Sequence, residues 1–334
     1  MLIAGDIGGT KTDLAIYSRD SGPHSPLAEV EVHSSDYPSL QAMVAEFLTN
    51  TRMSVDVASF DVAGPVIDGH VKTTNLPWVM DEDSLKAELS LKSVHLMNDL
   101  EAVARAVPVL RSKDLVTLNQ GEPVPHGPIA IIAPGTGLGE SFLTWDGLRY
   151  QAHSSEGGHS DFAPTDKRQI RLLEFLLERF DHVGVERVCS GIGVPNIYEY
   201  FRDVEKIPER PDVAQLIKSA KDHTKAIVEA AVDPKNPSKL CRATVDLLVS
   251  ILGGEAGNLV LKVFATGGVY MAGGIATHLI DVLQEPRFMQ TFSKKGRFQD
   301  LMRSIPVHVI TTRAALVGAA TYGLETLQRT EGRA

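Results

Sequence analysis

The sequence predicts an α/β protein of two domains, and three observations carry that prediction. Short apolar strands alternate with amphipathic helices toward both ends of the chain, a strand–glycine turn–strand unit occurs twice, and a long helical pattern lies between. A chain of 334 residues is long enough for about two domains and a sizeable core. Hydrophobic residues at 43% and charged residues at 22% match an ordinary globular protein and exclude collagen-like, disordered and disulfide-scaffold chains.

From the amino terminus, Leu2–Gly5 reads as a short apolar strand, and Asp13–Tyr17 alternates as a half-buried strand does. The intervening Asp6-Ile7-Gly8-Gly9-Thr10-Lys11-Thr12 predicts a tight hairpin in which Gly8 and Gly9 can take positive φ. Within Pro38–Asn50, the residues Leu40, Met43, Val44, Phe47 and Leu48 share one helical face, and Pro38 suits the first turn. A strand over Val55–Ala63 follows, then a hairpin turning at Asp68-Gly69. The strand Val94–Met97 ends in Asn98-Asp99 and continues as a helix over Leu100–Val109. The second strand–turn–strand unit comprises Ile129–Ala133, the glycine turn to Gly139 and a strand from Ser141, and looks like an ancient duplication of the first. Arg168–Leu261 is mostly helical pattern, broken at Pro208, Pro211, Pro234 and Pro237. Strand Val269–Ala272, turn Gly273-Gly274, a helix from Ile275, strand Val307–Ile310 and a helix over Ala314–Leu327 complete the order. No low-complexity linker intervenes, so interwoven domains are expected: a smaller one over 1–108 plus 311–334, and a larger one over 109–310.

Charge and cysteine usage exclude several function classes. The 42 acidic and 33 basic residues leave a net charge of −9, a poor general surface for nucleic acid or anionic membrane. Any phosphate must therefore be held locally. Cys189 and Cys241 are lone thiols without partners at metal-ligand spacing, which argues against structural zinc and fits a reducing compartment. The amino-terminal residues carry no targeting pattern, and runs such as Ile129–Ala133 are too short to span a bilayer; a cytoplasmic protein is expected.

The glycine turns carry the first chemical signal. Backbone N–H groups in such turns can wrap an anion because no Cβ blocks the approach. Asp6 beside Gly8, Gly9 and Thr10 suits a magnesium-bound polyphosphate, the carboxylate meeting the metal directly or through water. Gly135, Thr136 and Gly137 can clamp the same phosphates, and Gly273-Gly274 is a third turn of this kind. Either of the first two turns alone can also be a plain hairpin reversal; their joint occurrence favours phosphate. Rival phosphate motifs are missing: there is no Gly-Lys dipeptide, hence no P-loop, and Gly135–Gly139 is not a dinucleotide fingerprint opening a helix.

The second signal is polar. Asn98-Asp99 ends an apolar strand, where α/β proteins place ligands, and a carboxylate there can accept a proton from a substrate hydroxyl or simply cap the next helix. Glu156-Gly157-Gly158-His159 puts a carboxylate and an imidazole on a flexible loop, better suited to a polyol than to a metal with only one histidine. Glu186 precedes the turn Ser190–Gly193 and can equally be a solvated helix residue.

Taken together, Asp6–Thr10, Asn98-Asp99, Ala133–Gly139, Glu156–Pro164, Glu186–Gly191 and Gly267–Ile275 closely resemble the bacterial ATP-dependent glucokinases of the enterobacterial type, within the hexokinase/actin-like ATPase superfamily. The motifs run in order over nearly the whole chain. The resemblance implies a duplicated actin-like ATPase (ribonuclease H-like) fold, with a small α/β domain, a larger α+β domain and a cleft that closes on the sugar. It implies transfer of the γ-phosphoryl of ATP, with Mg²⁺, to the 6-hydroxyl of D-glucose, and a homodimer. Asp6, Gly8, Gly9 and Thr10 match the first phosphate loop, Gly135, Thr136 and Gly137 the second, and Gly273 and Gly274 the adenosine-side turn. Asn98, Asp99, Glu156, His159 and Glu186 match the sugar site, with Asp99 as the base. A site that pairs every hydroxyl rejects sugars that misplace one. The chain lacks the Cys-rich zinc motif of ROK-type sugar kinases, although Lys11 is ROK-like where the enterobacterial pattern has Asn. A kinase for another hexose and a turnover-deficient sugar sensor are the alternatives.

Overall fold

The computed structural model describes residues 1–73 and 76–331, so residues 332–334 of the expected smaller domain lie outside the described residues. The chain divides into two units: Met1–Arg111, Tyr150–Ala152 and the segment from Thr312 in one, Ser112–Arg149 and His153–Thr311 in the other.

In the first unit, β1 (Leu2–Ile7), β2 (Lys11–Tyr17) and β3 (Ala28–His33) lead into α1 (Leu40–Thr51) and β4 (Val57–Val62). A small hairpin of β5 (His70–Lys72) and β6 (Val79–Asp81), α2 (Glu82–Glu88), β7 (Ser93–Asn98) and α3 (Asp99–Ala106) follow. The main sheet runs β3-β2-β1-β4-β7. Within it β1 is antiparallel to β2 and parallel to β4, and β4 is parallel to β7. All six residues of β4 are buried, as befits a central parallel strand covered on both faces. Side chains alternate along β1: Ile3 joins Phe60, Met43 and Phe47 on the α1 side. Leu2 and Ala4 join Val57, Leu316 and Leu324 on the opposite side, under the C-terminal helix Ala314–Glu331.

Ser39, not Pro38, starts α1: its side chain accepts the Ala42 N–H, a serine N-cap with the proline just outside. Asp68 and Gly69 take φ of 50° and 74°, the primed turn that the Asp-Gly pair predicts. Gly8, in contrast, does not adopt the expected positive φ. Its glycine is required by close approach, because a Cβ there would lie 2.6 Å from the Lys11 carbonyl oxygen that accepts the Gly8 N–H.

The second unit begins with β8 (Leu115–Asn119), β9 (Ile129–Pro134), β10 (Leu138–Trp145) and the edge strand β11 (Tyr150–Ser155). The helical stretch holds α4 (Lys167–Leu177), α5 (Gly193–Asp203), α6 (Pro211–Ser219), α7 (His223–Val232) and α8 (Lys239–Val263). Pro211 opens α6 at its first turn instead of breaking a helix. Then come β12 (Gly268–Met271), the short helices α9 (Gly274–His278), α10 (Ile280–Leu283), α11 (Pro286–Ser293) and α12 (Gln299–Ser304), and β13 (Val307–Ile310). The sheet order is β11-β10-β9-β12-β13-β8. β10 begins at Leu138, three residues before the predicted start, because its ladder with β9 continues to Pro134. The 25-residue α8 is apolar enough to cross a membrane by composition, but 72% of its apolar window is buried inside the protein. It is the central helix of this unit's core, packed among α5, α7 and α11.

The duplication is visible in the topology. The order β2-β1-β4-β7 recurs as β10-β9-β12-β13, with the same sequence of antiparallel, parallel and parallel neighbours.

Candidate active site

Three acidic side chains meet at the carboxyl end of the first sheet. In the parallel β1–β4 ladder Asp6 stands directly beside Asp61, and Val62 of β4 stands beside Asn98 of β7. Asp61 is fully buried, and neither of its carboxyl oxygens has a hydrogen-bond partner; Asp6 is its neighbour in the ladder. Two ionised carboxylates side by side repel each other, and neither can donate to the other. Burial, reinforced by the charges of Asp6 and Asp99, raises Asp61 well above the usual carboxylate range, which favours its neutral form. Burial likewise lifts Asp6 to about 6, while the Asp61 side chain beside it pulls it down. Asp61 was not legible as a site residue; the available signal was a lone acid inside an otherwise apolar strand pattern.

Asn98 is the N-cap of α3, its Oδ1 accepting the Leu100 N–H at 2.9 Å and its Nδ2 donating to the Gly64 carbonyl at 3.0 Å. Asp99 is the first residue of α3, and its Oδ1 accepts the same N–H at 2.8 Å. The residue is exposed overall, yet desolvation by the protein around it holds its carboxyl above the usual range, opposed by Leu100 and Asn98. The capping role is thus real for Asn98, and it leaves Asp99 oriented at the strand end.

The first glycine turn is pinned by Ser34. Its hydroxyl donates to the Gly8 carbonyl at 2.7 Å and pairs with Thr12 Oγ1, and its N–H donates to the Thr10 carbonyl. The Lys11 ammonium pairs with Glu31 on the neighbouring strand, both side chains about half exposed. Its charge is engaged at the sheet surface.

In the second unit the remaining predicted residues converge. Gly135–Gly137 is held from one side by the segment after Glu186: Gly191 and Ile192 donate to the carbonyls of Gly135 and Thr136, at 2.8 and 3.1 Å. Glu186 Oε2 accepts the Leu138 N–H at 2.9 Å, and a Cβ at Gly137 would sit 2.3 Å from that oxygen. Glu186 is therefore not a solvated helix residue; it closes the glycine turn. Gly273 takes φ 87° with its would-be Cβ 2.6 Å from the Pro134 carbonyl oxygen, which seats the Gly273-Gly274 turn directly against this loop. A Cβ at Gly158 would lie closer still, 2.1 Å from the Leu138 carbonyl oxygen, so the Glu156–His159 segment rests on the start of β10. The Glu156 and His159 side chains project into solvent, 91% and 68% exposed, with 3.9 Å between Glu156 Oε2 and His159 Nε2. His159 and Glu186 line a cavity of about 370 Å³ together with His182 and Arg187, a volume suited to a small polar ligand.

Among the described residues no group of three or more His, Cys, Asp or Glu side chains could hold a metal ion by itself. The donor set fits a hard cation that arrives with its own oxygen ligands on a polyphosphate: one half-buried carboxylate, Asp6, next to the backbone-rich glycine turn of its own unit.

A doubled strand order with a glycine turn in each sheet is that of the actin-like ATPase fold. The chain belongs to the glucokinase family, whose family model matches residues 3–326. It is 39% identical to a glucokinase of Nostoc punctiforme over 96% of this chain and 98% of that one. The structure resembles a glucokinase from an Antarctic psychrotroph with a TM-score of 0.85, at 30% identity over 97% of this chain and 98% of that one. A ROK family glucokinase from Streptomyces griseus, in complex with glucose and AMPPNP, shares the fold with a TM-score of 0.62 at 18% identity, over 97% and 99% of the two chains.

Proposed function

We propose that this protein transfers the γ-phosphoryl group of ATP to the 6-hydroxyl of D-glucose, giving glucose 6-phosphate and ADP. The observation that carries the reading is the Asp99 carboxylate, oriented at the strand end by Asn98 and raised in basicity by its surroundings. A general base of this kind takes the hydroxyl proton as the sugar oxygen bonds to the γ-phosphorus and the bond to the ADP oxygen breaks. The sugar hydroxyls pair with Asn98, Glu156, His159 and Glu186, whose carboxylate, amide and imidazole groups accept or donate as each hydroxyl requires. Backbone N–H groups of Gly8–Thr10 and Gly135–Gly137 hold the phosphates, and Gly273-Gly274 serves the adenosine side. When bound, Mg²⁺ supplies neutralisation of the phosphate charge, and Asp6 would hold it directly or through water. The raised pKa of Asp61 favours its neutral form, which lessens repulsion with the neighbouring Asp6 and leaves Asp6 available.

The test is coupled ADP release with MgATP and glucose, mannose, fructose, N-acetylglucosamine or no sugar. Glucose should dominate. Asp99→Asn should lower kcat by roughly 10²–10⁴-fold while calorimetric glucose binding survives. Turnover dominated by another hexose would overturn the substrate, and near-normal turnover of the variant would remove Asp99 from the role of base.

A further inference from the structure

Glu140 lies outside every motif used above. It is 1% exposed on β10, and its Oε1 is buried without a hydrogen-bond partner. Its Oε2 would stand only 1.9 Å from a Cβ built at Gly157, so the carboxyl presses against the backbone of the Glu156–His159 segment from below. Gly158 beside it meets the Leu138 carbonyl oxygen at 2.1 Å in the same sense, so two consecutive glycines are needed for the segment to sit down on β10. Buried side chains of this unit, not solvent, therefore set the level at which Glu156 and His159 stand.

We propose that Glu140 is a positioning residue that forms the floor of the Glu156–His159 segment and thereby sets glucose affinity. The inference rests on the sugar-binding role assigned above to Glu156 and His159. The groups that face Glu140 determine its charge. Glu255 on α8 is 5% exposed and already paired with Lys262 at 3.1 Å and Asn258 at 2.9 Å. Lys295 donates to Asn258 Oδ1 and to the Gly254 carbonyl, and Cys189 is buried nearby. Glu156 and His159 face away into solvent. Burial, and next the Glu255 charge, raise Glu140 to about 7, with Lys262 opposing. The neutral acid fits this pocket, whereas the carboxylate demands water or displacement of Gly157.

If only the protonated form seats the segment, the KM for glucose rises roughly tenfold from pH 6 to pH 8, because the competent fraction falls about tenfold per pH unit above the Glu140 pKa. Glu140→Gln keeps the shape without the proton, so its glucose KM should stay level over that range. Glu140→Ala removes the floor and should raise the glucose KM at every pH, with the KM for ATP unmoved. Thermal melts confirm that both variants are folded, and calorimetric glucose binding repeats the comparison without turnover. A Glu140→Gln profile that superimposes on the wild type, or an unchanged glucose KM in Glu140→Ala, overturns the proposal while glucose phosphorylation stands. Wild-type protein that neither binds nor phosphorylates glucose at pH 6 overturns the functional reading and this inference with it.

Discussion

Replacing Gly318 by alanine tests how tightly the C-terminal helix holds the helix that begins at Asp99. A Cβ at Gly318 would lie 1.7 Å from the Ala102 carbonyl oxygen of α3, half of an ordinary contact. Backbone meets backbone there, so no side chain can swing aside and the helices must part. Overpacking of this kind costs about 1–3 kcal/mol, and the rigid contact places it at the upper end. Alanine's better helix propensity returns up to about 1 kcal/mol, leaving a net loss of about 2 kcal/mol. At roughly 2–4 °C per kcal/mol, Tm should fall by roughly 4–8 °C. Because α3 opens at Asp99, a shift near 1 Å should also cut kcat, by up to ~10²-fold. Gly254→Ala in α8 is the matched control, since its Cβ would meet nothing within 4 Å and it should be neutral or slightly stabilising. Circular dichroism melts and coupled ADP release read both effects. A Gly318→Ala protein that melts within about 1 °C of the wild type with unchanged kcat would refute the close-packing reasoning.

Two further perturbations probe the acid cluster and the second glycine turn. Asp61 has a raised folded-state pKa, so its contribution to stability is complete below its unfolded value near 4 and disappears as pH rises through the raised one. Asp61→Asn keeps a neutral hydrogen-bond donor and should lose less stability between pH 5 and 8 than the wild type, the remaining slope reporting Asp6; parallel Tm–pH curves would contradict this. Glu186→Ala orphans the Leu138 N–H, at about 1–3 kcal/mol, and loosens the phosphate-binding turn as well as the sugar contact. Initial-rate kinetics should therefore show the KM for ATP rising along with that for glucose, whereas a change confined to glucose would deny Glu186 its second role.

Much of this protein is local chemistry, and local chemistry is legible. Strand–turn–strand units, the Asp68-Gly69 turn and the polar pair at the end of β7 each depend on neighbours in sequence, so composition and periodicity determine them. The two glycine turns and the Glu156–His159 segment were visible for the same reason, as was the family they resemble. What the chain does not announce is why a given glycine is needed. Gly8 and Gly137 look like conformational hinges in one dimension, but in the fold each makes room for an oxygen, the Lys11 carbonyl and the Glu186 carboxylate. Asp61 and Glu140 are hidden for a related reason: each stands in a strand whose burial is set by partners far away in sequence. Burial within the sheet, reinforced by the charges of Asp6 and Asp99, raises Asp61, and burial, reinforced by the Glu255 charge of α8, raises Glu140. The sequence alone determined the elements, the motifs and the family to which they point; which acids are buried, which carry a proton and what each glycine makes room for were decided only when distant strands and helices packed together, because burial and charge coupling are properties of three-dimensional neighbours.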